Sequence, residues 1–180
     1  MQNSKAWSRI MREVAAQKSK LLFFNGDMIN VAPSAWLAAD LQAARARGAR
    51  QLFVFGHKPA FTYIYKPDIK KAEGSGLDKF PAKRNAFWDV IESYAATYFC
   101  GHQHEFNMKQ PRGAAWQVLV GSGGSPWDAR PGESTLHPHT DRSYAWATVE
   151  VRRSGKVEIS AYGFDENFGP TRRLQRITLR

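Results

Sequence analysis

Cysteine is almost missing: Cys100 is the only one in 180 residues. No disulfide can form within the chain, so a cysteine-stapled scaffold is excluded and an apolar core has to hold the fold. Long apolar runs are missing too. No stretch approaches the roughly 20 apolar residues of a membrane span. The polar, amphipathic stretch from Met1 to Ser19 lacks the apolar centre of a secretory signal. A soluble chain with no membrane partner is the expectation. Neither an internal repeat nor a low-complexity tract is present, which excludes a solenoid and leaves disorder to the loops. Carboxylates are scarce: 16 Asp and Glu stand against 26 Lys and Arg, for a net charge of +10. That excess permits attraction to anions such as phosphate esters, nucleic acid or acidic membranes without identifying one. Much of it lies in Arg45, Arg47, Arg50, Arg152, Arg153, Arg172, Arg173, Arg176 and Arg180, scattered and not interleaved with aromatics. They read as a solvated basic face, and nucleic-acid binding is not the expectation.

What is present is enough for one well-buried domain over residues 1–180. Lys5 to Gln17 carries Trp7, Ile10, Met11 and Val14 at three- and four-residue spacings, the pattern of a helix packed on a sheet, with Ser4 as its cap. Leu21 to Phe24 is a short, uniformly apolar run and predicts a buried strand. From Ser34, an N-cap residue, a second helix runs to Arg47 and stops at Gly48, with Trp36, Leu37 and Leu41 as its buried stripe. The strand Gln51 to Phe55 follows. Phe61 to Lys79 is long enough for a surface loop that acts as a lid or specificity loop, and its aromatics serve equally well to pack the loop down. Pro81 opens a third helix to about Ala95, with Phe87, Trp88, Val90, Ile91 and Tyr94 on its apolar side. The strand Thr97 to Cys100 comes next. Glu105 to Lys109 and Trp116 to Val120 flank Pro111-Arg112-Gly113 as a hairpin. Tyr144 to Val151 and Lys156 to Tyr162 form another across Arg153-Ser154-Gly155, and Leu174 to Leu179 adds an edge strand. Helices and parallel strands come first and antiparallel strands later, which predicts a two-sheet α/β sandwich.

The chemistry concentrates where the apolar runs stop. Thr97-Tyr98-Phe99-Cys100 ends in Gly101-His102-Gln103-His104, Gln51 to Phe55 ends in Gly56-His57, and Leu21 to Phe24 ends in Asn25-Gly26-Asp27. Each run finishes in glycine plus a residue of the metal-ligand type. Parallel sheets gather function at the carboxyl ends of their strands, so Asp27, His57, His102 and His104 are expected at one edge. Alternation along an extended segment turns His102 and His104 to the same side, so that both imidazoles reach one centre. Asn25-Gly26-Asp27 is equally a plain turn sequence. Gly121-Ser122-Gly123-Gly124-Ser125-Pro126 lacks the spacing of a nucleotide-binding loop, and close backbone packing explains it better. Cys100 lies in an apolar run and is expected to be buried and inert.

Gly26-Asp27, Gly56-His57-Lys58-Pro59 and Gly101-His102-Gln103-His104, in this order, resemble the calcineurin-like metallophosphoesterases, above all their purple-acid-phosphatase-like branch. The resemblance runs from about Ser8 onward. It implies a four-layer αββα sandwich, here truncated, that hydrolyses phosphate monoesters or diesters with a metal-bound hydroxide. The implied cofactor is one or two zinc, manganese or iron ions per chain. Asp27 then matches a bridging carboxylate, His57 and His102 match ligands of the second metal, and His104 matches a ligand of the first. Two of that family's elements have no counterpart: the Asp-x-His motif ahead of Gly26-Asp27, and a Gly-Asn-His-Asp/Glu motif between Asp27 and His57. Asp27, His57 and His102 are still enough to hold one ion with open positions for water. A centre of reduced activity is therefore expected, with His137, His139, Asp141 or Asn107 as replacement ligands by residue type. The alternative is a truncated member without catalysis that binds or oligomerises through an exposed sheet edge.

Overall fold

The computed structural model describes residues 2–17, 34–62, 76–128 and 142–179. The expected strand 21–24 with Asp27, most of the 61–79 loop, and His137, His139 and Asp141 lie outside them. The described chain is mixed α/β, with three α-helices and two sheets. In order it runs α1 (Gln2–Ala16), α2 (Ser34–Ala46), β1 (Phe53–Phe55), a 3-10 turn (Leu77–Lys79), α3 (Pro81–Ser93), β2 (Thr97–Cys100), β3 (Phe106–Lys109), β4 (Gln117–Val120), β5 (Tyr144–Val151), β6 (Val157–Phe164) and β7 (Arg172–Leu179). One sheet has the order β1-β2-β4-β3, and β5-β6-β7 form the other. No described helix is long and apolar enough to cross a membrane. By their internal contacts the described residues fall into two compact units. One holds α1, residues 104–107 and residues from 120 onward; the other holds residues 34–103 and 108–119.

In the second unit β1, β2 and β4 are parallel, with Val54 opposite Tyr98 and Tyr98 opposite Gln117. Alternation puts Tyr98, Cys100, Gln117 and Leu119 on one face, where α2 and α3 cover them with Leu37, Leu41, Phe87, Trp88 and Ile91. Fully burying side chains such as Ile91 and Leu119 contributes about 1.5–3 kcal/mol each. The thiol of Cys100 is buried in this layer, its Sγ 3.8 Å from Val118 O. α2 ends as its sequence predicts: Gly48 adopts φ +88°, and Gly48 N and Ala49 N donate to Arg45 O and Ala44 O. That closure satisfies carbonyls at the helix end and uses a conformation natural to glycine. Trp36 departs from the expected stripe. It is 65% exposed, because Leu37 and Leu41, four residues apart, already meet the core. Arg45 also departs from the expectation of a solvated basic face. Its guanidinium donates to Ala49 O, Arg50 O and Tyr94 O, tying the ends of α2 and α3 together.

The first unit carries the antiparallel sheet. β5 and β6 pair in register from Tyr144–Phe164 to Val151–Val157, and Gly155 turns between them at φ +85°. β7 pairs with β6, with an irregularity at Ala161/Tyr162. α1 lays Ala6 and Ile10 on Tyr144, Trp146 and Phe164. The helix starts at Gln2, so Ser4 lies inside it and not at its cap. Trp7 is 43% exposed; the buried stripe runs through Ala6 and Ile10, with Val14 partly covered. Arg9 fastens the helix to the segment before β7. Its guanidinium donates to Phe168 O, Gly169 O and Thr171 Oγ1, pairs with Glu13, and lies 4.1 Å over the Phe164 ring. In the glycine-rich turn after β4 Ser122 is fully buried and donates to Ser143 O, and Gly124 has φ +124°; close packing is not what Gly123 serves, since a Cβ there would stand 3.8 Å from Ala145 O, an ordinary contact.

Candidate functional site

Two of the four expected ligands come together. β1 and β2 are adjacent parallel strands, and the ladder continues past their carboxyl ends: Gly56 N donates to Phe99 O at 3.0 Å, and Gly101 N to His57 O at 2.9 Å. His57 and His102 therefore leave the sheet side by side. His57 Nε2 lies 2.7 Å from His102 Nδ1, with ring centroids 4.7 Å apart and planes at 76°. At that separation one nitrogen donates a proton to the other.

The backbone under His57 is held at nearly every residue. Gly56 has no room for a side chain, since a Cβ there would stand 2.4 Å from Tyr98 Oη. That hydroxyl donates to Lys58 O at 2.6 Å. Tyr98 is 4% exposed, and burial first, with the charge of Cys100 second, raises its pKa well above the usual phenol value. At the same register level on β4, the side-chain amide of Gln117 accepts from Ala60 N at 2.9 Å and Phe61 N at 3.0 Å, and donates to Phe61 O at 2.8 Å. Pro59 O accepts from Leu77 N at 2.9 Å. Thr62 N donates to Asp78, whose other oxygen pairs with Arg84.

His102 is held differently, and here an expectation is corrected. The chain does not stay extended from Gly101 to His104. His102 has φ +65°, and Gln103 N donates back to Gly101 O at 2.7 Å, closing a three-residue turn. A γ-turn of this hand is strained for a residue with a side chain. The turn, and not strand alternation, aims the His102 ring at His57. His104 belongs to the first unit. Its backbone N donates to Asp128 Oδ2 at 2.9 Å, Asp128 N donates to His104 O at 3.1 Å, and its ring Nδ1 donates to Pro126 O at 2.9 Å. A carbonyl can only accept, so Nδ1 carries the hydrogen and Nε2 is the lone-pair nitrogen of the neutral ring. Asn107, a suggested replacement ligand, is 1% exposed, and its Oδ1 has no hydrogen-bond partner among the described residues. Asp27 lies outside the described residues.

The donor set of the described pair fits a metal ion of the zinc, iron or manganese class, because imidazole nitrogen suits all three. To share one ion the two rings give up the hydrogen bond between them and turn both lone pairs toward a common point. Among the described residues no group of three or more His, Cys, Asp or Glu side chains is gathered in metal-binding distance. Sequence reading found both histidines from the glycine-ligand strand ends. It missed Tyr98 and Gln117, whose one signal is a hydroxyl and an amide on apolar strands that demand buried partners. Comparison with known proteins finds no matching family model and no matching curated protein sequence.

Proposed function

We propose that the chain is a metal-dependent hydrolase of phosphate esters, a relative of the calcineurin-like metallophosphoesterases and their αββα sandwich. One observation carries the reading: His57 and His102, from the carboxyl ends of adjacent parallel strands, aim ring nitrogens at each other across 2.7 Å. These two residues are the proposed ligands in the described chain, with Asp27 as the carboxylate partner that the sequence resemblance adds. An ion bound there supplies the acidification of water and the polarisation of a phosphoryl oxygen that ester hydrolysis needs. The chain's own part is to hold the imidazoles in place. The ladder bonds at Gly56 and Gly101 fix the backbone, and the turn at His102 fixes the second ring.

The test is turnover of p-nitrophenyl phosphate and bis-p-nitrophenyl phosphate with added manganese, zinc or iron. The native chain is expected to hydrolyse at least one of them, and His57→Ala with His102→Ala to reduce the rate to the level of metal alone. Turnover that survives the double substitution removes the reading.

A further inference from the structure

We propose that Gln117 and Tyr98 act together as positioning residues, holding the backbone that carries His57 so that its Nε2 stays aimed at His102 Nδ1. This rests on the reading of His57 and His102 as metal ligands. Gln117 is fully buried at the head of an otherwise apolar strand, Gln117-Val118-Leu119-Val120. A buried amide is costly unless its donors and acceptors are matched. Here both lone-pair directions of Oε1 are taken by Ala60 N and Phe61 N, while Nε2 donates to Phe61 O. Phe61 thus exchanges two hydrogen bonds with the side chain, as one strand residue does with its partner in an antiparallel pair. The amide acts as one extra peptide unit of sheet, placed where the chain after His57 has left the ladder.

Tyr98 stands opposite Gln117 in the β2–β4 register and grips the other end of the same stretch through Lys58 O. Lys58 and Phe61 are thus fixed from two neighbouring strands, and His57 O is fixed by Gly101 N on the strand that leads to His102. Both histidines take their aim from β2 and its neighbours. Residues 58–61 could pack over α3 without any of these bonds, since Phe61 already meets Trp88 edge-on at 5.2 Å. The bonds to Gln117 and Tyr98 do something packing does not: they set the rotation of each peptide, and with it the direction of the His57 ring. Gln117 and Tyr98 do not touch the His57 ring; they act on it through the backbone one to four residues beyond it.

The experiment uses the full chain with Gln117→Met, Gln117→Glu and Tyr98→Phe, and His57→Ala with His102→Ala as the control for the site. The first readout is the imidazole nitrogen NMR spectrum of the metal-free protein, which reports the hydrogen bond between the two rings. The second is cobalt(II) titration followed by visible absorption, which reports affinity and ligand geometry. In Gln117→Met the ring-to-ring hydrogen bond is expected to be lost and cobalt affinity to fall roughly tenfold to hundredfold. Gln117→Glu keeps the shape and both accepted bonds but, as a carboxylate, sets an acceptor against Phe61 O in place of the donor, so a loss of the ring-to-ring bond and of cobalt affinity is expected here too; it carries the test if Gln117→Met does not fold. Folded variants with native ring signals and native cobalt affinity overturn the positioning role. A native protein that binds no cobalt, or a histidine double variant that binds it as well as the native chain, overturns the metal reading instead. The ring signals then still decide the positioning role.

Discussion

Tyr98 lies among Phe87, Cys100 and Leu119 with its hydroxyl on Lys58 O, so one side chain serves both the core and the His57 loop. Burial favours the neutral phenol, and the folded-state pKa is raised. An acid whose pKa is higher in the folded state contributes stability that is complete below its unfolded value, about 10, and is lost as pH rises past it. Tyr98→Phe is expected to lower the unfolding free energy near neutral pH by about 1 kcal/mol through the lost hydrogen bond. Above pH of about 10 the gap between native and variant should shrink, because only the native chain then has to keep a buried phenol protonated. Denaturant unfolding at several pH values checks this, and a gap that stays constant into the alkaline range contradicts it. At this scale His57 and His102 were legible in the sequence, because glycine followed by a ligand type after an apolar run is a local pattern. Gln117, Arg9 and Arg45 were not. Each is defined by carbonyls or amides that local sequence does not place beside it, and a lone amide or guanidinium in a string names no partner.

At the scale of elements, the boundaries that local chemistry dictates appear where expected. Pro81 starts α3, Gly48 ends α2, and Gly155 turns β5 into β6. Helix faces were read less well. Trp7 and Trp36 satisfy a hydrophobic period, yet smaller residues beside them, Ala6 and Leu37, take the buried positions. Periodicity gives the width of an apolar stripe and not its centre, which is set by the surface it meets. The strand-like reading of Gly101 to His104 failed for a related reason: His102 at φ +65° follows from the closure of Gln103 N on Gly101 O, which no alternation rule contains. The anchoring of α1 gives a direct test. Arg9→Ala removes three bonds to residues 168–171 and the cover over Phe164, and is expected to cost about 1–3 kcal/mol in unfolding free energy. Arg12→Ala, on the exposed side of the same helix, should change it by less than about 0.5 kcal/mol. Equal effects of the two substitutions contradict the anchoring role.

At the scale of the whole molecule, parallel strands followed by antiparallel ones did announce two sheets, and both are present. The convergence of His57 with His102 could be anticipated only through that topology, since 45 residues separate them in the chain. The central claim is that this pair holds a metal ion used on phosphate esters. Its most direct measurement is elemental analysis of the native chain and of His57→Ala with His102→Ala, both purified without chelator and both shown to be folded. Zinc, manganese or iron is expected at close to one ion or more per native chain, with a stoichiometric loss in the double variant. A native chain without metal after incubation with all three ions, or a double variant that retains the native content, contradicts it.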